Sequence, residues 1–161
     1  NIFEDVFGYK ASSFIPPCYI MSNNLNSQLA TCGIKSIQGN YYQLEPLVGK
    51  EHKFKKHLRY LGQKNNVNQT YLIRNAFFEP SSNPTYDWNG DVLKRAASSF
   101  FWRKPLIINS HRLNYIGYID PKNRERNLLK LNRLIIELLK KWPDIEFMSS
   151  SSLNYIISNK K

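Results

Sequence analysis

His111 is the residue whose type and setting most invite chemistry, in the segment Pro105-Leu-Ile-Ile-Asn-Ser-His111-Arg-Leu-Asn-Tyr115. A proline opens an apolar run too short for a helix, and the run ends in Asn-Ser before a histidine beside Arg112. That pattern reads as a buried parallel strand, Leu106 to Asn109, whose carboxyl end delivers an imidazole into a polar cleft. Open α/β sheets and barrels place their chemistry at such strand ends. An imidazole titrating near neutrality can give or take a proton there. The bland reading of one histidine at a strand end is a hydrogen-bonded structural group. Its company raises the functional reading: Pro16-Pro17 follows an earlier strand, and Asp87-Trp88 opens a helix.

The elements that must position these residues alternate along the chain. Ala11 to Phe14 reads as a short strand ending at Pro16-Pro17. Leu25 to Thr31 reads as a helix closed by Cys32-Gly33, and Ile34 to Gln38 as the next strand. Two aromatic, β-prone runs follow, around Leu58–Tyr60 and Thr70–Phe78, separated by Lys64-Asn-Asn-Val-Asn68; together they suggest a hairpin-like excursion. Asp87 can cap a helix from Trp88 to about Phe101. Asn123 to Trp142 carries the clearest helical stripe, with Leu128, Leu131, Ile135, Leu138 and Trp142 as expected core. Pro143 stops it, Ile145 to Met148 reads as a last strand, and Ser151 or Ser152 starts a short closing helix. Strand and helix in alternation predict an α/β fold with a parallel sheet, a barrel or part of one.

The chain of 161 residues fits one domain and can bury a core. No apolar run approaches the roughly 20 residues needed to span a bilayer, so no membrane span is expected. No signal-peptide pattern is visible either, which leaves the compartment open with a lean to the cytoplasm. The formal charge of +11 invites a polyanion, yet the basic residues are spread over Lys50–Lys64, Lys122–Arg133 and the Lys160-Lys161 tail. No nucleic-acid motif accompanies them, so no nucleic-acid partner is expected. Cys18 and Cys32 have neither CxxC spacing nor nearby histidines and read as reduced thiols. Asn68-Gln-Thr70 matches a glycosylation sequon, but Asn is abundant enough for a chance match.

Three segments then fall into one order. Phe14-Ile15-Pro16-Pro17-Cys18-Tyr19, Asp87-Trp88 and Ile107-Ile108-Asn109-Ser110-His111 resemble the third, fourth and fifth motifs of the polysaccharide deacetylase (NodB-homology) family. The closing Lys140-Lys-Trp-Pro-Asp-Ile-Glu-Phe-Met148 is similar to bacterial members of that group. The resemblance spans nearly the whole chain and rests on the order and spacing of short motifs. It implies a partial, distorted (β/α) barrel and the removal of N- or O-acetyl groups from a polysaccharide or amino sugar.

By the same resemblance, a divalent metal, usually zinc, polarises the acetyl carbonyl and supplies the nucleophile. His111 matches the acid that protonates the leaving amine. Asp87 matches the carboxylate that orients it, with helix capping as the plainer role. Trp88 would wall the cleft, or simply pack in the core; Pro17, Tyr19, Asn109 and Arg112 would line the substrate site. Two positions depart from the family. Ile15 stands where an arginine precedes Pro-Pro, and Asn109 stands where a leucine lines the acetyl pocket.

The family's metal ligands belong to motifs upstream of the third. His52 and His57, five apart in a lysine-rich stretch, read as surface residues, and no Asp-Asp strand end is present. The chain starts on Asn1 with Ile2–Phe7 reading as a helix already under way. It is therefore expected to be the carboxyl-terminal portion of a deacetylase-like barrel, a single partial domain over residues 1–161 that holds no metal alone. A catalytically degenerate glycan-binding relative is the alternative, favoured by Ile15; a basic nucleic-acid-binding domain rests on charge alone.

Overall fold

The computed structural model describes residues 2–50 and 52–159; Asn1, Glu51 and the basic tail Lys160-Lys161 lie outside the described residues. The elements are α1 (Ile2–Phe7), β1 (Ser13–Phe14), α2 (Leu25–Thr31), β2 (Ser36–Gly39), β3 (Tyr42–Pro46), β4 (Phe54–Leu58) and β5 (Thr70–Ile73). There follow β6 (Ala76–Phe77), α3 (Trp88–Phe101), β7 (Ile108–Asn109), α4 (Pro121–Lys141) and α5 (Ser150–Asn159). They divide into two compact units, Asn1–Ile73 with Met148–Lys161, and Arg74–Phe147. The class is mixed α/β. Among the described residues the strands form small parallel and antiparallel sheets, none closed into a barrel. Among the described residues no helix is long and apolar enough to cross a membrane.

The first unit is built on a parallel sheet of order β1-β2-β5, with Ser36 between Ser13 and Thr70 and Ile37 between Phe14 and Tyr71. Parallel neighbours need a crossover, and α2 supplies it between β1 and β2. Gly33 ends that helix at φ +91°, a left-handed conformation that side chains with a Cβ resist. Met21, Ile37, Tyr71 and Ile73 form the core, with Phe14 and Leu29 packed against it.

The hairpin expected in the middle of the chain exists but is built from other strands. Tyr42–Pro46 pairs antiparallel with Phe54–Leu58, from Tyr42↔Leu58 to Pro46↔Phe54. Thr70–Ile73 instead joins the parallel sheet and is buried at every position, as a strand covered on both faces must be. Sequence periodicity misplaced the hairpin because Gln43 and Glu45 on its inner face look like solvent-facing residues. They are in fact engaged by other polar groups.

The second unit packs α3 and α4 on the short parallel pair β6–β7. Its core joins Ala76 and Phe78 to Val92 and Ala96 of α3 and to Leu134 and Leu138 of α4. Asp87 caps α3 as expected, accepting the Gly90 N–H at 3.0 Å. Asp120 caps α4, and Pro121 occupies its first turn, where a missing N–H costs nothing.

The α4 stripe holds at Leu138, which is buried, and at Leu131 and Trp142, which pack on the core, but departs at Leu128. Asn127, Leu134 and Leu138 are the buried residues, whereas Leu128 is 45% exposed. Asn127 takes the inward place because its amide donates to the Asn114 carbonyl at 2.9 Å and to Ser81 Oγ at 2.9 Å. The strand expected at Ile145–Met148 does not form. Ile145 packs on the core while Phe147 and Met148 are exposed, and no described strand offers that segment a ladder.

Candidate functional site

The parallel pair β6–β7 sets Ala76 opposite Ile108 and Phe77 opposite Asn109, and Phe78 N–H donates to the Asn109 carbonyl at 2.8 Å. Two residues beyond the Phe77↔Asn109 pair, Glu79 and His111 therefore leave the sheet side by side at its carboxyl end. Ser110 locks the exit, its hydroxyl donating to the Phe78 carbonyl at 2.7 Å and lying 2.8 Å from the Tyr115 hydroxyl. His111 then opens a 3-10 turn over Arg112–Tyr115.

Glu79 is the group that holds His111. Its Oε1 lies 2.8 Å from His111 Nδ1 and accepts the His111 backbone N–H at 3.2 Å. The imidazole is 67% exposed while the carboxylate is only 17% exposed, so the pair has a sheltered base and an open tip. A carboxylate is an acceptor, so Nδ1 carries its hydrogen toward Glu79 and Nε2 faces outward. Asn114, almost fully buried, donates to Glu79 Oε2 at 2.8 Å and to the His111 carbonyl at 2.8 Å, and accepts from Ser81 N–H at 3.0 Å. Burial pushes the Tyr115 phenol above its usual value and the Glu79 charge adds to the rise, against a hydrogen bond from Ser110. Tyr115 thus stays a neutral hydroxyl beside the pair.

The carboxylate on His111 is Glu79; the one expected from sequence was Asp87. Asp87 caps α3 and, with Tyr86, Trp88, Lys130, Arg133 and Glu137, lines a separate cleft of about 360 Å³ that takes no residue of the 108–115 segment. Trp88 donates from its indole N–H to the Asn83 carbonyl at 2.9 Å, stacks edge-on with Tyr86 and packs against the core. Asn109 is buried and its side-chain oxygen accepts from Arg74, while Arg112 is exposed next to His111. Pro17 and Tyr19 belong to the first unit, in a 3-10 turn where Cys18 and Tyr19 take positive φ of 49° and 58°. Glu79 did leave a signal in the sequence. It follows the β-prone run Thr70–Phe78 just as His111 follows the run ending at Asn109, a polar group at a strand exit.

A second polar cluster sits in the first unit, and it corrects the reading of His57 as a surface residue. His57 Nε2 lies 2.7 Å from Glu45 Oε2, with both side chains about four-fifths buried. Asn23 donates to Glu45 through its backbone N–H at 2.9 Å and its amide at 3.0 Å. Arg59 donates to Gln43 and to Asn23, both at 2.9 Å. The Asn23 N–H, with help from His57, holds the Glu45 carboxyl below its usual value, against the opposing effect of burial. Every member has a partner within the cluster, so it knits the inner face of the hairpin to the Asn23 loop.

Among the described residues no three His, Cys, Asp or Glu side chains come together in an arrangement that could hold a metal ion, and Cys18 and Cys32 are free and exposed. No protein-family model matches the sequence, and no curated protein or solved structure matches it.

Proposed function

We propose that this chain is the acid-bearing portion of a carbohydrate deacetylase, part of a (β/α) barrel that hydrolyses acetyl groups on an amino sugar or polysaccharide. The observation that carries the reading is the Glu79–His111 pair at the carboxyl end of two parallel strands, where such folds place their chemistry. Short-motif resemblance at Phe14–Tyr19, Asp87-Trp88 and Ile107–His111 supplies the reaction class.

His111 is the acid. With Nδ1–H held on Glu79, the outward Nε2 carries the second proton and delivers it to the leaving nitrogen as the acyl C–N bond breaks. The ring returns to neutrality with its orientation unchanged and is reprotonated from solvent. Glu79 is a positioning residue: it fixes the tautomer and faces the charge of the imidazolium. Asn114 positions Glu79 in turn. Arg112, exposed beside the acid, meets substrate at the rim. The described residues do not fit the divalent metal of such enzymes, since no three of their His, Cys, Asp or Glu side chains come together.

The test is acetate release from N-acetylglucosamine oligomers by the intact reading frame. His111→Ala is expected to lower turnover by about two to four orders of magnitude, the range for loss of a general acid. Glu79→Gln should lower turnover less, through kcat, while leaving KM near its original value. Turnover of His111→Ala within severalfold of the parent removes His111 from the acid role.

A further inference from the structure

The β3–β4 hairpin has one face anchored and one face free. Gln43, Glu45, His57 and Arg59 point to the Asn23 loop and are tied there. Alternation along both strands then puts Tyr42, Leu44, Pro46, Phe54, Lys56 and Leu58 on the opposite face. Most of that face is open: Tyr42 is 58% exposed and Leu58 64%, with Phe54 also exposed and Leu44 half-buried. The apex continues the pattern. Leu47 and Val48 are exposed, Val48 completely, in a turn closed by Lys50 N–H on the Leu47 carbonyl at 3.1 Å and Leu47 N–H on the Lys53 carbonyl at 3.0 Å. Hydrogen bonds to both the N–H and the carbonyl of Leu47 fix the apolar apex, which limits the entropy cost of binding through it.

The charge around the apex has one sign. Between Leu47 and Lys56 the sequence places Lys50, Lys53, Lys55 and Lys56 against the single Glu51. The described lysines are all exposed. Glu45, the nearest other carboxylate on the hairpin, is already bound by Asn23 and His57. An apolar tip within a collar of lysines fits a surface that is anionic outside and apolar just beneath.

We infer that the 42–58 hairpin docks this protein on an anionic lipid surface. Leu47, Val48 and Phe54 enter the boundary between headgroups and acyl chains, and Lys50, Lys53 and Lys56 meet headgroup phosphates. An acidic glycan explains the lysines but not the apex, because sugars are gripped by flat aromatic faces and hydrogen bonds. Leu47 and Val48 offer neither. Docking of this kind does not depend on the deacetylase reading.

The experiment is sedimentation of the full chain with vesicles of seven parts phosphatidylcholine to three parts phosphatidylserine, alongside vesicles of phosphatidylcholine alone. Binding is expected to be at least about tenfold stronger to the mixed vesicles and to fall with salt. Val48→Asp and the pair Lys53→Ala with Lys56→Ala leave the anchored face untouched, and an unchanged urea midpoint checks that each variant folds. Val48→Asp should cut binding about tenfold or more, and each lysine lost should cut it about fivefold. Equal binding to both vesicles, or no binding to either, overturns the inference. So does retention on an acidic polysaccharide that survives Val48→Asp when vesicle binding does not exceed the phosphatidylcholine control.

Discussion

Asn114→Ala is the sharpest perturbation of the site that leaves its two working side chains in place. The amide of Asn114 serves Glu79 Oε2, the His111 carbonyl and the Ser81 N–H, at 2.8, 2.8 and 3.0 Å. Alanine keeps the backbone carbonyl that Asn127 uses and deletes all three of these bonds. Asn114 is only 1% exposed, so water does not reach the vacated positions without a rearrangement. A buried group left unpaired costs about 1–3 kcal/mol. Glu79 and His111 lie near the surface and recover part of their loss from solvent, whereas the Ser81 N–H does not. The expected cost is therefore about 2–4 kcal/mol. Trp88, Trp102 and Trp142, the chain's 3 tryptophans, all lie in the unit that holds Asn114, so their emission in urea reads that unit directly. With a slope of about 2 kcal/mol per molar, the midpoint should fall by about 1–2 M. Asn114→Asp should be worse at neutral pH than in mild acid, since it sets a second carboxylate against Glu79. A shift below about 0.3 M for alanine would refute the picture of Asn114 as the group that holds the pair together.

Three further outcomes are expected. Asp87→Ala should destabilise the second unit by about 1 kcal/mol through loss of the α3 cap, with Asp87→Asn much milder; equal activity of parent and Asp87→Asn in the acetate assay would agree with Glu79, and not Asp87, serving His111. Leu134→Ala should cost about 2–5 kcal/mol and Leu128→Ala below about 1 kcal/mol in the same urea assay, reversing the order the sequence stripe suggests. Glu45 has its folded pKa depressed below its ordinary 4.5, so its contribution is present above that value and is lost as pH falls through the folded one. Far-ultraviolet circular dichroism in urea should therefore show a steeper acid loss for the parent than for Glu45→Gln; parallel acid limbs would contradict it.

Local rules made the helices legible. Leu25–Thr31 ends at Cys32-Gly33 because the next residue needs a left-handed backbone, and Trp88–Phe101 begins where Asp87 can cap. The strand before His111 was visible in place but not in extent or burial: only Ile108–Asn109 pairs, and Ile108 is exposed, because β7 has a single neighbour, β6. What stayed hidden depended on contacts distant in sequence. Tyr42–Pro46 was missed because Gln43 and Glu45 gain their burial from Asn23, His57 and Arg59. The inward place of Asn127 depends on Ser81 and Asn114, so a count of apolar residues chose Leu128 instead. Glu79 lies 32 positions from His111, and only the parallel register of β6 and β7 brings them together. Asp87 drew attention because a motif pointed to it, while the geometry gives it a cap and a different cleft.

The most direct test is the tautomer of His111, read from long-range proton–nitrogen correlations of the imidazoles in the neutral ring. With 3 histidines in the chain, His111→Gln identifies the signal by its disappearance. The Glu79 contact predicts a ring protonated at Nδ1 with Nε2 open, and a mixture of tautomers in Glu79→Ala. A His111 ring protonated at Nε2 in the parent, unchanged in Glu79→Ala, would contradict the pairing on which the proposed acid rests.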